Sequence, residues 1–447
     1  MIIKNLDNLA TNHSRKQVLT IVEAGINRVL PTNIMKFAVK YDAVNRILTV
    51  NNDAFNLTSG RIFVIGGGKA SGLMAKALEE VIGAENIVDG VVNCKEGHSA
   101  TQKINIISAA HPIPDQRGID GVANMLALKH RYSIGINDFV ICLVSGGGSA
   151  LLPYPVDGIS LTEKQIITEL LLVSGAEIEE INAVRKHLSK IKGGQLGDFY
   201  SPATVISLIL SDVVGNDLSV IASGPTYPDQ SSFSEACHVL KKYHLLNRIP
   251  ENATDFLKKG CRGEIKETPG KLNNCHNFII GDNSLALKAM ETKASELAFN
   301  PYIITNQQKG DTTEVAWLRA NEIRSGKFAE HSVLLIGGET TIKITACEGK
   351  GGRNQHYAAV SMMAMAQHTG EWTVASIGTD GSDFLPDVAG AIVDRESLNA
   401  VRIKGIDIES YLTRYDSNNL LDQIGNSLII TDNTGTNVGD IIVYLLS

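Results

Sequence analysis

The feature of this sequence that most constrains its fold is an apolar run that stops abruptly in a glycine-rich loop. Residues 139–144 are uncharged and rich in β-branched side chains, and they are followed at once by Ser145, Gly146, Gly147, Gly148 and Ser149. Such a run is typical of a strand buried on both faces in a parallel sheet. Glycines permit close backbone approach, so consecutive N–H groups can surround an anion. The pattern predicts an anion-binding loop; the alternative is a tight turn after a core strand.

The pattern of apolar strand, polar loop and helix recurs along the chain. Apolar runs end in glycine together with hydroxyl, carboxylate or cationic side chains at residues 61–65, 139–144, 205–210, 333–336 and 372–377. Parallel strands bring their carboxyl ends to one edge of a sheet, where open α/β proteins bind ligands. The repeat therefore predicts an α/β protein. Residues 12–30 have the apolar spacing of a helix, which we expect to pack on the first domain.

Composition narrows the class of partner. The chain has 447 residues, with 41 basic and 48 acidic side chains and a formal charge of −7. This balance argues against nucleic acid, which calls for a basic surface. No apolar stretch approaches the roughly 20 residues that span a bilayer, and the N-terminal sequence lacks a signal-peptide pattern. We expect a cytoplasmic protein of two or three domains that binds neither nucleic acid nor membranes.

The cysteines give no sign of a disulfide framework or a zinc site. They are widely scattered and contain no Cys-x-x-Cys pair, at Cys94, Cys142, Cys237, Cys261, Cys275 and Cys347. In a chain of this length, that pattern is typical of free thiols.

Two cations are placed where an anion would bind. Lys69 follows three glycines and precedes a helix, although the sequence is not a P-loop, which would need Gly-x-x-x-x-Gly-Lys-Ser/Thr. Arg353, between Gly352 and Asn354, can fork onto a phosphate or a carboxylate. The alternative for Lys69 is a solvated lysine at a helix start.

Carboxylates follow several of the same strands, at Asp212, Glu339, Asp380 and Asp383. Phosphoryl transfer needs this inventory: donors and cations for the charge on the moving group, and carboxylates for magnesium. The alternative for Asp380 and Asp383 is a turn in which both carboxylates face water. A further helix predicted over residues 177–192 carries Arg185 and Lys192, which either complement the helix dipole or bind a ligand.

An ordered set of motifs resembles those of the MOFRL-type glycerate kinases over roughly residues 12–445. The matching segments are 66–70, 111–115, 144–150, 210–213, 222–226, 337–340, 351–355, 378–381 and 435–438. The resemblance implies an ATP- and magnesium-dependent kinase that converts D-glycerate to 2-phosphoglycerate. It also implies two Rossmann-like domains, with mainly parallel sheets, facing a central cleft. We place the domains at residues 1–260 and 261–447, and we leave open whether the chain forms a homodimer.

The resemblance also points to residue roles. It implies that Lys69 and Arg353 are catalytic, and we add Asp212 as a third catalytic candidate. We expect substrate binding by Lys69, Ser71, Arg353 and Asn354, and metal binding by Asp380 and Asp383, with Asp212 as the alternative to Asp380 for either magnesium or the hydroxyl group. The expected ATP-binding residues are Ser145, Gly146, Gly147, Gly148, Ser149, Ser223, Gly224, Thr226, Thr379 and Gly381.

Three other functions remain open from the sequence. A hydroxypyruvate or glycerate oxidoreductase would use the same α/β folds, but the Gly-x-Gly-x-x-Gly fingerprint with its downstream acid is missing. A kinase that forms 3-phosphoglycerate would share every motif. A nucleotide sensor would bind ATP without turnover, and the joint presence of both cations and the acidic loops disfavours it.

Overall fold

The computed structural model describes residues 1–95, 100–344 and 349–447, and the chain forms two compact units. We call Ile34–Ile280 the parallel-sheet unit, and Met1–Asn33 with Gly281–Ser447 the mixed-sheet unit. The expected boundary at residue 260 lies inside the helix Glu251–Cys261, and the strand Cys275–Gly281 continues the sheet of the parallel-sheet unit beyond that helix.

Regular elements alternate along both units. In the described ranges the strands are β1 (Val39–Asp42), β2 (Ile47–Val50), β3 (Asp53–Asn56), β4 (Ile62–Gly67), β5 (Ile87–Cys94), β6 (Ile104–Ser108), β7 (Phe139–Ser145), β8 (Thr204–Leu210), β9 (Cys275–Gly281), β10 (Asn300–Gln308), β11 (Ser332–Gly338), β12 (Trp372–Gly378), β13 (Gly390–Asp394), β14 (Leu428–Ile429) and β15 (Asp440–Leu446).

The helices cover the sheets. They are α1 (Leu6–Leu9), α2 (His13–Arg28), α3 (Pro31–Ala38), α4 (Ser71–Ile82), α5 (Gln116–Tyr132), α6 (Gly148–Leu151), α7 (Leu161–Val173), α8 (Ile178–His187), α9 (Gln195–Tyr200), α10 (Phe233–Lys242), α11 (Glu251–Cys261), α12 (Asn283–Glu296), α13 (Thr312–Arg324), α14 (Arg353–Ala364), α15 (Arg395–Lys404), α16 (Ile408–Thr413) and α17 (Ser417–Ile424). None of the helices in these ranges is long and apolar enough to cross a membrane.

The parallel-sheet unit confirms the α/β prediction. Its main sheet has the strand order β6-β5-β4-β7-β8-β9, and β4 through β8 pair in parallel. The apolar run at residues 139–144 becomes β7, next to β4 at the centre, and every residue of β4 is buried. Side chains such as Phe63, Cys142 and Val144 form the core on one face. The glycine loops after β4 and β7 therefore lie side by side at the carboxyl edge.

The mixed-sheet unit corrects the expectation of mainly parallel sheets. Its strand order is β10-β11-β15-β12-β13-β14, and only β10 and β11 pair in parallel. The reason is that β15 inserts antiparallel between β11 and β12. Asp440, its first residue, consequently lies opposite Gly338 and Gly378, where β11 and β12 end.

The opening helix packs on a different part of the chain from the one that the sequence predicts. Instead of lying on the first domain, α2 packs on α12 within the mixed-sheet unit, where a Cβ added at Gly25 would lie 2.7 Å from Met290 Sδ. Its Arg15 donates to Asp394 at 2.7 and 3.1 Å, and both side chains are almost fully buried. An apolar stripe shows that a helix is buried, but it does not identify the partner.

Breaking this ion pair is expected to destabilise the mixed-sheet unit. In Arg15→Met, Asp394 would remain buried without its cation, so we expect the free energy of unfolding to fall by about 3–5 kcal/mol. Urea denaturation monitored by circular dichroism measures the loss. The exposed neighbour Lys16→Ala serves as the control, and equal stability of both variants would contradict the assignment.

The helix predicted over residues 177–192 is shorter than expected. The helix, α8, ends at His187. The chain then turns, and Ser189 pairs with Pro155 in an isolated antiparallel β-bridge. The five cysteines in the described ranges are free thiols, in agreement with the prediction, whereas Cys347 lies outside those ranges.

Candidate active-site loops

The loops after β4 and β7 interlock at the edge of the parallel sheet. Lys69 N donates to Gly146 O at 2.8 Å, and Ala70 N donates to the Ser145 hydroxyl at 3.0 Å. A Cβ added at Gly147 would lie 3.0 Å from Lys69 Cγ. The structure thus brings together the lysine and the glycine loop, which are far apart in the sequence.

Two more polar side chains lie against the same loop. A Cβ added at Gly146 would lie 1.8 Å from Asp212 Oδ2, and one added at Gly147 would lie 2.9 Å from His111 Cδ2. Lys69, Asp212 and His111 therefore surround consecutive glycines whose missing side chains make room for them. Asp212 is among the residues predicted from the sequence, whereas a histidine in a proline-rich segment such as His111 is more often structural and is not among them.

Gly146 is expected to be intolerant of a side chain because of this contact. In Gly146→Ala, the new methyl group would displace the Asp212 carboxylate, and we expect kcat/KM to fall by about tenfold or more, as misplacement of a group near the chemistry does. Gly135→Ala is a matched control, since its Cβ would come no closer than 3.8 Å to Ser133 O. Steady-state kinetics of the two variants make the comparison, and wild-type kcat/KM in Gly146→Ala would contradict it.

Several predicted ligand-binding hydroxyl groups hold the framework together instead of facing outward. Ser71 Oγ donates to Leu143 O at 3.2 Å and lies 3.3 Å from Ser145 Oγ, and both serines are fully buried. Thr226 Oγ1 is buried between Ser207 and Asn277, at 2.7 and 2.8 Å. These hydroxyl groups hold the loops and strands in place, so they support a binding site without facing its ligand.

The remaining predicted residues of this unit lie beside the loop. Ser149 is half-buried, and its hydroxyl lies 2.9 Å from Ser223 Oγ. Gly148 meets Ala222, whose Cβ would lie 2.7 Å from a Cβ added at the glycine. Gly224 has a φ of +59°, in the left-handed region that glycine adopts readily.

In the mixed-sheet unit, Arg353 is held by two carboxylates. Its Nε and one terminal nitrogen donate to Asp440 at 2.6 and 2.9 Å, and the other terminal nitrogen lies 3.0 Å from Glu339 Oε1. Burial lowers the pKa of this guanidinium, but Asp440 and Glu339 more than offset that effect, and the net pKa is raised. The side chain is 34% exposed, so the bound guanidinium still faces solvent.

Asp440, like His111, is a residue beside the predicted site that sequence reasoning missed. Its side chain is 4% exposed, and besides Arg353 it accepts a hydrogen bond from Asn354 Nδ2 at 2.9 Å. Its one signal in the sequence was a carboxylate directly after Gly439, at the start of the apolar run 441–446. Asp440 sets the direction of Arg353 and Asn354, two of the four residues that the sequence placed at the substrate.

Asp383 caps the helix that carries Arg353. Its two oxygens accept from the backbone N–H groups of Asn354 and Gln355 at 3.0 and 2.8 Å, and the side chains of both residues add two more bonds. Gly352 makes this approach possible, since a Cβ there would lie 2.3 Å from Asp383 Cγ. Burial raises the pKa of Asp383 above its usual range, although the N–H donors oppose the rise.

The two predicted metal ligands thus differ in what they can offer. The Asp383 oxygens are occupied by α14, whereas Asp380 Oδ1 accepts from Ser382 N and Oγ, both at 3.0 Å. Across the described residues, no group of three or more His, Cys, Asp or Glu side chains is arranged to hold a metal. Magnesium in phosphoryl-transfer sites usually needs only one or two carboxylates plus phosphate oxygens. The four hydrogen bonds that the Asp383 carboxylate accepts from Asn354 and Gln355 make it the weaker of the two predicted ligands.

Thr379 and Gly381 shape the loop after β12. Thr379 Oγ1 donates to Gly439 O at 2.6 Å and accepts from Val438 N at 2.9 Å. Gly381 has a φ of +88°, and a Cβ there would lie 1.9 Å from Asp432 O. Both residues tie this loop to the segment that precedes β15.

A cavity of about 570 Å³ lies beside Arg353 in the same unit. Glu339, Thr340 and Arg353 supply polar atoms to its wall, and Phe384 and Tyr415 supply aromatic rings. A wall with both a guanidinium and aromatic rings can hold a ligand that has one anionic and one apolar part.

Comparisons with known proteins show the family to which the chain belongs. Residues 17–258 match a family model described as a domain of unknown function, DUF4147, and residues 332–440 match the MOFRL family. The chain is 38% identical over 426 residues to a glycerate 2-kinase of Pyrococcus horikoshii, covering 92% of this chain and 95% of that protein. It is 37% identical over 439 residues to a D-glycerate 2-kinase of Thermotoga maritima, covering 97% and 98% of the two.

A solved structure gives the same result for the fold. The crystal structure of a glycerate kinase from Thermotoga maritima matches with a TM-score of 0.84 at 36% identity, covering 97% of this chain and 99% of that one. The parallel sheet and the mixed sheet, with glycine-rich loops at the ends of their central strands, define the class as an α/β protein. Within that class, the chain belongs to the DUF4147/MOFRL glycerate kinase family.

Proposed function

We propose that this chain is a glycerate 2-kinase, which transfers the γ-phosphoryl group of ATP directly to the 2-hydroxyl group of D-glycerate. The observation that carries the proposal is the near-complete match to two relatives named glycerate 2-kinase and D-glycerate 2-kinase, at 38% and 37% identity. The kinase identity in turn implies ATP as the second substrate.

In the parallel-sheet unit, the interlocked loops hold phosphate groups. The backbone N–H groups of residues 145–149 surround the phosphates, and the Lys69 ammonium stabilises the charge that develops on the transferring group. Support comes from the contact of the Lys69 stem with Gly147. Asp212, beside Gly146, either orients the attacking hydroxyl or shares in holding magnesium.

In the mixed-sheet unit, Arg353 binds an anionic group of the substrate. A guanidinium has five N–H donors, and the contacts with Asp440 and Glu339 use three of them. The remaining donors are available to the glycerate carboxylate or to the phosphoryl group. Asn354, fixed by Asp440 and by Ser376 Oγ at 2.6 Å, lies next to it.

Magnesium bound with ATP would neutralise phosphate charge and favour in-line transfer. We assign it to Asp380, with Asp212 as the alternative. Asp383 remains a weaker candidate, because its oxygens already accept hydrogen bonds from Asn354 and Gln355.

One pair of assays tests the class of enzyme. Purified protein with ATP, magnesium and D-glycerate is expected to release ADP, with L-glycerate as the control for the stereochemistry of the substrate. A parallel reaction with NADH and hydroxypyruvate, without ATP, is expected to show no loss of absorbance at the NADH wavelength. NADH oxidation without ADP release would instead establish the oxidoreductase alternative.

A further inference from the structure

Two buried lysines and a partly buried arginine lie beneath the glycine loop of the parallel-sheet unit. Lys164 on α7, Arg185 on α8 and Lys192 in the turn after α8 form what we call the basic cluster. Lys164 is 7% exposed and Lys192 is 1% exposed. None of the three forms an ion pair with a carboxylate in the part of the chain that the structure describes.

The neighbouring Lys186, in contrast, is a buried lysine whose charge is balanced by a carboxylate. Its ammonium lies 3.0 Å from Asp229 Oδ1, and Asp229 also accepts from the hydroxyl groups of Ser231 and Thr268. The basic cluster has only neutral acceptors: Lys192 Nζ donates to Ser149 O at 3.0 Å, and Lys164 Nζ donates to Leu188 O at 3.1 Å.

Donors of the cluster region remain unused within the described residues. Arg185 Nε and Asn182 Nδ2 are buried and have no hydrogen-bond acceptor. Asn182, which is 2% exposed, accepts from Ser223 Oγ at 2.9 Å, and Ser223 Oγ in turn lies 2.9 Å from Ser149 Oγ. A continuous set of polar groups thus connects the cluster to Ser149.

Uncompensated burial of this kind is costly, because a charge transferred from water to a protein interior loses most of its solvation. Burial lowers the pKa of Lys164 to about 7, and it lowers the pKa of Lys192 well below its usual value. The charge of Arg185 lowers both values further. An anion in contact with the cluster would favour the charged form of each lysine and so oppose these effects.

We propose that Arg185 and Lys192, with Asn182 and Ser149, form a binding site for an oxyanion group. Lys164 contributes long-range positive charge to this site. The ligand group is a phosphate of the nucleotide or an anionic group of the acid substrate or its product. The presence of an oxyanion site does not depend on the proposed function, but the identity of its natural ligand does.

Substitution of Lys192 distinguishes a role in binding the oxyanion from a role in stabilising the fold. In Lys192→Met, an uncompensated buried charge is removed, so we expect the unfolding temperature without ligand to be unchanged or higher. The rise in unfolding temperature caused by the cognate probe should be largely lost, with Kd raised at least tenfold. The probes are inorganic phosphate, a non-hydrolysable ATP analogue and D-glycerate, each added separately, and the probe whose effect is lost identifies the source of the oxyanion.

Two further variants complete the experiment. Arg185→Gln removes the second cation and is expected to weaken binding of the same probe. This variant keeps the test valid if Lys192→Met does not fold. Lys190→Gln is the matched control, because Lys190 is 38% exposed and pairs with Asp157 at the surface. Its binding of all three probes should equal that of the wild-type protein.

The outcomes distinguish this inference from the proposed function. Lower stability without ligand in the folded variants, together with unchanged effects of all three probes, would overturn the oxyanion site. A second outcome separates the two claims. If the wild-type protein does not phosphorylate D-glycerate but is stabilised by phosphate, and if Lys192→Met and Arg185→Gln are not stabilised by it, the proposed function fails while the oxyanion site stands.

Discussion

Replacement of Lys69 by alanine is expected to lower kcat by about 10³-fold, the scale of a cation that stabilises the charge of a transferring phosphoryl group. The unfolding temperature should change by only a few degrees, because Lys69 is partly exposed and the loop contact through its backbone N–H and Gly146 O survives the substitution. ADP release under saturating ATP and D-glycerate measures kcat, and differential scanning calorimetry measures stability.

Lys76→Ala is the matched control for this experiment. Lys76 lies on α4, the helix that follows the Lys69 loop, and its side chain is exposed. We expect wild-type turnover from this variant. If Lys69→Ala retained wild-type turnover as well, Lys69 would have no part in the reaction.

Replacement of Arg353 by lysine is expected to lower kcat by about 10²-fold or more, although the charge is kept, because an ammonium lacks the planar fork of a guanidinium. A lysine cannot donate in bidentate fashion to Asp440 while also reaching Glu339 and the substrate. The free energy of unfolding should fall too, since Asp440 is nearly fully buried and would lose its closest donors.

A double-mutant cycle with Asp440→Asn tests the coupling between the two residues. The carboxamide introduced by this substitution would accept only weakly from the guanidinium, so we expect a loss of kcat smaller than that of Arg353→Lys, and a combined effect well below the sum of the two. Additive losses would show that Asp440 does not position Arg353. The exposed Arg402→Lys on α15 controls for a general effect of the exchange.

The centre of the parallel-sheet unit could be predicted from local pattern. Apolar runs at residues 61–65 and 139–144 became adjacent parallel strands, β4 and β7, and their glycine loops came together. The prediction succeeds because a strand buried on both faces is apolar at every position, instead of alternating between apolar and polar residues. The alternation of strands and helices along the chain then indicates parallel pairing. The polar loops that follow these strands then lie together at the carboxyl edge of the sheet.

The position of Asp440 could not be predicted in the same way. In a parallel strand, the first residue would lie at the opposite edge of the sheet from Arg353. Asp440 reaches Arg353 only because β15 runs antiparallel between β11 and β12. Strand direction is decided by long-range pairing, which the sequence of residues 440–446 does not contain.

The predicted roles of individual hydroxyl groups also depended on information absent from the sequence. Ser71 and Ser149 both stand in glycine-rich motifs, yet Ser71 is fully buried against Leu143 O and Ser149 is half-buried beside Ser223. A motif indicates which residues form a loop. Packing decides which of them support the loop and which of them face a ligand.

The most direct test of the central claim is the identity of the phosphorylated product. Purified protein is incubated with ATP, magnesium and D-glycerate, and the product is resolved by phosphorus and proton NMR. We expect 2-phosphoglycerate, formed together with an equal amount of ADP. Formation of 3-phosphoglycerate would contradict the assignment of the reacting hydroxyl group, and the absence of both products would contradict the kinase itself.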